Sequence, residues 1–266
     1  MKTYKKEANG KLEIGQVYHV KRFTLTVDRK LCKGCILCSL VCPRNAITLT
    51  PPTIDIDESR CDYHGICAVV CPFSAIKIAI NGKEEIPTVK KGVFPVLTRD
   101  VEIDAAKCPP TCRECAEKCP LGIINEKREV KKELCAGCQI CWEVCPEDAV
   151  KVTKFIEGSI RINQALCPDG CRACLDVCPV NALYTEDGKV CANHNNCIYC
   201  GACQAVCPQS EALEINRTAV RHSPIESGAW YKGLEKLTSA EGLNKELAAS
   251  RADKARIAVN NLKESR

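Results

Sequence analysis

Twenty-three of the chain's 24 cysteines fall into six short groups, each ending in Cys-Pro, and no other property of the sequence restricts the fold as much. The first group is Cys32, Cys35, Cys38 and Cys42, before Pro43. The second is Cys61, Cys67 and Cys71, before Pro72, with His64 where another cysteine would fit. The third is Cys108, Cys112, Cys115 and Cys119, and the fourth Cys135, Cys138, Cys141 and Cys145. The fifth is Cys167, Cys171, Cys174 and Cys178, and the sixth Cys197, Cys200, Cys203 and Cys207. Cys191 stands apart. Successive groups begin 29, 47, 27, 32 and 30 residues apart, an internal repeat near 30 with one long insertion. Alternating segments such as Leu25-Thr26-Val27-Asp28 and Ile160-Arg161-Ile162-Asn163 precede the groups, and short apolar pieces such as Ala46-Ile47 and Ala182-Leu183 follow them. Each repeat is therefore expected to run strand, cysteine loop, short helix through the last cysteine, strand.

Cysteine makes up about 9% of the 266 residues, and without it the apolar fraction falls from 45% to about 36%. With only 12 aromatic residues (Trp 2, Tyr 6, Phe 4), that is a thin supply for one large core. No stretch approaches the roughly 18 apolar residues of a membrane span. The basic N-terminal residues have no apolar run behind them, so no secretory signal is expected. A cytoplasmic chain this rich in cysteine is expected to bind metal rather than to build disulfides. The formal charge of +5 comes from acidic and basic residues mixed along the whole length, with no basic stripe for a nucleic acid.

Three cysteines at two-residue intervals, a fourth three residues on, and then proline resembles the run of bacterial two-cluster [4Fe-4S] ferredoxins. The resemblance spans roughly residues 20–216. It implies an α+β fold of three tandem two-cluster domains, and a crossover in which each group's last cysteine completes its neighbour's cluster. The implied ligand sets are Cys32, Cys35, Cys38 and Cys71; Cys61, Cys67 and Cys42, with His64; Cys108, Cys112, Cys115 and Cys145; Cys135, Cys138, Cys141 and Cys119; Cys167, Cys171, Cys174 and Cys207; and Cys197, Cys200, Cys203 and Cys178. Structural zinc wants separated Cys-x-x-Cys pairs, which is not this pattern. The third and fifth groups carry the Cys-x3-Cys-x2-Cys spacing of radical S-adenosylmethionine enzymes. Their Cys119-Pro120 and Cys178-Pro179 nevertheless continue the ferredoxin pattern, and no barrel-length segment follows either group.

Six cubanes need one ligand more than the groups supply. The shortfall lies in Cys61-Asp62-Tyr63-His64-Gly65-Ile66-Cys67. His64 as ligand, Asp62 as ligand, water on the fourth iron and a [3Fe-4S] cluster are all open, and His64 alone matches the register. Cys191 belongs by sequence to the third domain and is expected to be a free buried thiol. Anionic clusters would turn the formal positive charge negative.

The domain boundaries expected from this pattern are 1–80, 101–155 and 156–216, with a β-hairpin insertion over 81–100 and a helical C-terminal docking tail over 217–266. Alternation over Leu12, Ile14, Val17, Tyr18, Val20, Phe23, Leu25 and Val27 extends the first domain with strands, and Asn81-Gly82 signals the hairpin turn. The insertion reads as a lid or a docking surface. In the tail, Trp230 and Tyr231 are the expected partner-binding residues, and 240–264 is expected to be helical.

There is no nucleotide fingerprint, P-loop or catalytic triad. Clusters held by four thiolates suit electron transfer, so the chain is expected to be a relay and not an enzyme; an iron–sulfur structural or assembly role is the alternative from another class. Six clusters in one chain resemble the polyferredoxins of methanogenic archaea. Arg221-His222-Ser223-Pro224-Ile225-Glu226-Ser227-Gly228-Ala229-Trp230 and Cys197-Ile198-Tyr199-Cys200-Gly201-Ala202-Cys203 are similar to the polyferredoxin subunit of formylmethanofuran dehydrogenase, which commonly carries more than six clusters. That resemblance implies tungsten or molybdenum redox-enzyme subunits as partners. A hydrogenase or heterodisulfide reductase complex is the alternative.

Overall fold

The computed structural model describes residues 2–17, 21–50, 52–209 and 211–240, together with 244 and 248. Within them the repeat is visible as strand pairs. Strands β1 (Lys2–Ala8), β2 (Lys11–Val17) and β3 (Arg22–Asp28) form an antiparallel meander. Its first turn, Asn9-Gly10, takes positive φ at both residues (53° and 74°), the geometry that lets a two-residue turn follow strand twist. Leu12, Ile14, Leu25 and Val27 are buried on one face, as the alternation requires. Tyr18 and Val20, read into the same strands from the sequence, lie outside the described residues.

Helix α1 (Leu37–Val41) follows the first cysteine loop, then come the β4 (Ile47–Thr50) and β5 (Thr53–Ile56) hairpin, α2 (Ile66–Val70) and β6 (Ile76–Ile80). Strand β6 returns to pair with β3, so one unit closes on itself. The helices stop one residue short of the expected end. Cys42 and Cys71 are extended caps with ψ of 112° and 114°, since the prolines after them disfavour helical backbone.

Asn81-Gly82 turns β6 into the short β7 (Lys83–Glu84), which adds to the same sheet in the order β1-β2-β3-β6-β7. Residues 81–100 are therefore not a hairpin of their own. Pro87 opens the one-turn helix α3 (Pro87–Lys90), and the remainder is irregular chain that pairs with the C-terminal segment at Leu97 and His222. Proline at the helix start and the lack of an alternating partner run explain the difference.

The closing pattern recurs. β8 (Val101–Ile103) and β9 (Val150–Val152) pair across α4 (Glu114–Glu117) and α5 (Ile140–Glu143). β10 (Ile156–Ile162) pairs with β13 (Leu213–Val220) across α6 (Ala173–Asp176), the β11 (Leu183–Glu186) and β12 (Lys189–Ala192) hairpin, and α7 (Ala202–Val206). Strand β13 runs past residue 217, so the tail begins later than the composition suggests.

The three units are not equally packed. The first and last share one continuous core that runs from Leu12 and Ile54 through Cys35 and Cys200 to Ile215. The middle unit keeps a small core of its own: Cys115, Ile123, Ile124, Cys141 and Val150.

The tail overturns the docking-arm expectation for Trp230. Helix α8 (Gly228–Thr238), capped by Ser227 Oγ accepting from the Trp230 N–H, packs against α1 and β13. Trp230 is 0% exposed, and its indole Nε1 donates to His222 Nε2 at 3.0 Å. A large apolar ring whose one polar atom has found a partner is worth more in a core than at a rim. Tyr231 is 50% exposed, but its hydroxyl donates within the tail to the Ile225 carbonyl at 2.9 Å. The helix expected over 240–264 lies almost wholly outside the described residues. Trp230→Ala should cost about 3–5 kcal/mol of stability, measured as a lowered denaturation midpoint of the metal-loaded chain.

Candidate metal centres

After each of five Cys-Pro pairs the chain repeats one device. The second residue past the proline takes positive φ: Asn45, Ser74, Gly122, Asp148 and Asn181 (45°, 49°, 60°, 47° and 49°). At four of these turns the next backbone N–H swings back onto the cysteine sulfur. Ala46 donates to Cys42 Sγ at 3.4 Å, Ala75 to Cys71 and Ala149 to Cys145 at 3.3 Å, and Ala182 to Cys178 at 3.2 Å. Asn and Asp tolerate the left-handed region better than other side chains. The sequence reading took these alanines only as the start of an apolar piece and missed their amides as sulfur donors.

The tight loops ahead of α2 and α7 use glycine. Gly65 (φ 89°) and Gly201 (φ 88°) stand where a β-carbon would meet Ile86 Cγ2 at 2.6 Å and Ile36 Cγ1 at 2.9 Å respectively. Helices α1 and α2, α4 and α5, and α6 and α7 pack in pairs, which carries the last cysteine of one group to the loop of the next.

The electrostatic neighbours of the thiols follow that crossover. Burial drives the Cys38 thiol well up, and Cys35, Cys71, Cys67 and Cys32 push it further. Cys67 is raised by burial and then by Cys61 and Cys42. Burial lifts Cys115, with Cys108, Cys112 and Cys145 adding to it. Cys141 is pushed up to about 12 by burial, helped by Cys138, Cys135 and Cys119. Cys174 reaches about 11 through burial, Cys207, Cys167 and Cys171. Cys200 reaches about 12, where burial, Cys197 and Cys178 outweigh the Ala202 N–H that favours its thiolate. For each of these six thiols, cysteines that the sequence assigned to its own set are among its charged neighbours.

Thiols gathered this way resist ionising on their own, because every thiolate would be desolvated and repelled by its neighbours. A positively charged metal core removes both penalties at once, which is the chemistry of a coordinating thiolate. None of the cysteines is in a disulfide. Among the described residues no three His, Cys, Asp or Glu side chains are arranged to hold a single metal ion. The donor sets fit a multi-iron cluster with sulfur ligands.

The second set has three cysteines, with His64 at the register of the missing one. His64 sits on the loop between Tyr63 (φ 59°) and Gly65, half-buried, with its Nε2 enclosed and without a hydrogen-bond partner. Burial pulls the imidazole pKa down, opposed by Asp62, whose carboxylate lies 3.6 Å from Nδ1. The ring is therefore neutral near pH 7, with a lone pair to give. Segment 86–94 closes over it: Thr88 Oγ1 donates to the His64 carbonyl, and Phe94 meets the ring edge-on at 5.8 Å. Cys191 is a free thiol, as expected, but less buried than the sequence suggested. It is half-buried on β12, accepts from Gln164 Nε2 at 3.5 Å, and joins no set.

Among the described residues no helix is long and apolar enough to cross a membrane. Comparison with known proteins adds the family. The 4Fe-4S dicluster domain model matches residues 31–75 and 166–210, the stretches that hold the first, second, fifth and sixth cysteine groups. A ferredoxin of Methanothermococcus thermolithotrophicus is 37% identical over 57 residues, 20% of this chain and 95% of its own length. The PorD subunit of pyruvate synthase from Methanothermobacter marburgensis is 38% identical over 52 residues, 20% of this chain and 63% of its own length. Along nearly its whole length the chain is similar to one in the formate dehydrogenase–heterodisulfide reductase–formylmethanofuran dehydrogenase complex from Methanospirillum hungatei. The TM-score is 0.80 at 29% identity, over 90% of this chain and 92% of that one. Being similar to a methanogen ferredoxin over 95% of that protein's length, the chain belongs to the ferredoxin family, as an iron–sulfur electron carrier of the methanogen type.

Proposed function

We propose that this chain is a six-cluster polyferredoxin. In this reading residues 1–80, 101–155 and 156–216 are three tandem two-cluster domains. It passes low-potential electrons between the redox subunits of a cytoplasmic assembly that contains formylmethanofuran dehydrogenase. The observation that carries this reading is the likeness, over 90% of the chain, to a component of a complex with that enzyme in its name.

When bound, a [4Fe-4S] cluster supplies one-electron redox chemistry. The chain's own part is to hold, insulate and tune it. The four thiolates of each all-cysteine set leave no iron open to substrate, and Nε2 of His64 is the fourth donor of the second set. The amides of Ala46, Ala75, Ala149 and Ala182 donate to ligand sulfurs, which raises the potential of whatever cluster those sulfurs bind.

Heterodisulfide reductase appears in the name of the same complex, so service to that enzyme is the second reading. Anaerobic affinity purification of the tagged chain separates the two. Co-purification of a tungsten- or molybdenum-containing subunit supports the first. Recovery of heterodisulfide reductase subunits without tungsten or molybdenum supports the second.

A further inference from the structure

Three cations lie in the seams between the units, and none of them is held by a carboxylate. Arg217 is 2% exposed. Its Nε donates to the Tyr199 carbonyl at 2.7 Å, between Cys197 and Cys200, and Nη1 reaches the Leu237 carbonyl at 3.4 Å. Nη2 is buried with no acceptor. It points into the contact between Gly201 and Ile36, the residue after Cys35: a β-carbon built on Gly201 would lie 3.0 Å from both Arg217 Nη2 and Ile36 Cδ1. Burial pulls this guanidinium's pKa down, and the groups that hold it up are Cys200, Cys35, Cys203 and Cys197.

Arg99 occupies a second seam. Its Nη1 donates to the Pro72 carbonyl at 2.7 Å and the Cys135 carbonyl at 2.9 Å, and Nη2 donates to the Cys71 carbonyl. Lys154 occupies the third. Its Nζ donates to the carbonyls of His194 and Cys197, both at 2.8 Å, and a β-carbon on Gly137, the residue before Cys138, would sit 3.5 Å from Lys154 Cα. Cys197 and Cys138 are the first charged neighbours that Lys154 feels, ahead of Glu143.

Arg217 is buried, and a buried cation without a counter-charge is strongly unfavourable, while Arg99 and Lys154 are half-buried in their seams. Here ligand cysteines are the first acidic neighbours of each cation, ahead of Glu133 at Arg99 and Glu143 at Lys154, and the one orphaned donor, Arg217 Nη2, lies in the contact between Gly201 and Ile36.

We propose that Arg99, Lys154 and Arg217 join three cysteine sets, one from each unit, into a three-way electron junction. The sets are Cys32/Cys35/Cys38/Cys71, Cys119/Cys135/Cys138/Cys141 and Cys178/Cys197/Cys200/Cys203. Arg99 spans the first and second, Lys154 the second and third, and Arg217 the third and first, where its free Nη2 donates to cluster or ligand sulfur. The other three sets are the arms. Helices α1 and α2, α4 and α5, and α6 and α7 pack against each other, and Cys67, Cys115 and Cys174 are charged neighbours of Cys38, Cys141 and Cys203, so each arm meets the junction inside its own unit. The six sets are therefore not a line in sequence order: an electron that enters any arm has two exits. Each transfer oxidises one set's cluster and reduces its neighbour's by one electron. A cation beside two sets favours the reduced form of both, so electrons gather at the junction.

The inference rests on the six-cluster reading and is tested apart from it. In the full-length chain, EPR-monitored redox titration of Lys154→Met, at wild-type iron and sulfide, should shift two of six couples to lower potential. At each wild-type midpoint the oxidised-to-reduced ratio should rise about tenfold, equivalent to 59 mV for a one-electron couple, while four couples stay in place. Lys154→Arg, which keeps the charge, should titrate as wild type. Unmoved potentials in Lys154→Met, or six couples shifted alike, would overturn the junction. If Lys154→Met loses iron, Lys154→Arg decides: wild-type midpoints at full iron support the charge seam, and displaced midpoints or lost iron overturn it. A wild-type chain with fewer than five clusters would instead defeat the six-cluster reading itself.

Discussion

Anaerobically purified protein should carry about 23–24 irons per chain with matching acid-labile sulfide, and a strong chelator should unfold residues 101–155 before the rest. The stoichiometry follows from five four-cysteine sets and one with three cysteines and a histidine. The order of unfolding follows from packing. Two of the five buried residues in the middle unit's own core are cysteines of the sets, Cys115 and Cys141. Its only paired strands, β8 and β9, are three residues each. A domain that small rarely stands without a metal or disulfide staple, and there the free energy of metal binding is in effect folding free energy. The outer units share a core that includes Leu12, Ile14, Leu25, Ile54, Ile78, Ile215, Trp230 and Leu237, so they have apolar burial to fall back on. Limited proteolysis during chelation, with the fragments mapped by mass, checks this. Early cleavage should cluster within 101–155 while 22–80 and 156–240 persist. Zinc in place of iron, or iron without sulfide, would overturn the assignment of the cysteine sets altogether.

The parts of this molecule that repeat were open to inspection in the sequence, and the parts that join the repeats were not. Cys-x2-Cys-x2-Cys-x3-Cys-Pro is a local code: the loop, the short helix and the turn after proline are all set within about a dozen residues, and all three are seen around α1 and α2. The strand before each odd group and the strand after each even group were legible from alternation, as at Val27 with Ile76, Ile103 with Val150 and Ile162 with Leu213. What failed was long-range. Nothing near Trp230 in sequence says that α1 waits to cover it, and it was read as a partner-binding residue. Arg99, Lys154 and Arg217 are three basic residues among 38. What sets them apart is their position in the seams between units, beside cysteines that for Arg217 and Cys35 lie more than a hundred residues apart in sequence. Likewise the insertion was read from its Asn81-Gly82 turn, whereas its consequence lies in Ile86 beside Gly65 and in Thr88 and Phe94 packed around His64.

That packing makes His64 the position where one substitution should change the redox properties most. Replacing an imidazole ligand by thiolate adds a negative charge to the cluster and lowers its potential. The difference between mixed and all-cysteine ligation suggests a fall on the order of 100 mV for one couple in His64→Cys, at unchanged iron. His64→Ala removes the donor while Thr88 and Phe94 still wall off the loop. It should release one iron and give the EPR signature of an oxidised [3Fe-4S] cluster. Asp62 is no substitute in that variant, because its half-exposed carboxylate flanks Nδ1 rather than the enclosed Nε2. The protonation state points the same way. Burial keeps the imidazole pKa below its ordinary value, so the ring is a neutral donor at physiological pH and gains a proton only under acid. Iron analysis with EPR-monitored titration of both variants decides the matter. If His64→Ala matches wild type in iron, spectrum and all six midpoints, His64 is a loop residue and another donor completes the set. If His64→Cys alone is displaced, downward and in one couple, the histidine is what holds that cluster's potential above its neighbours'. The loop would then serve as a built-in electron trap at the end of one arm, with the insertion as its cover.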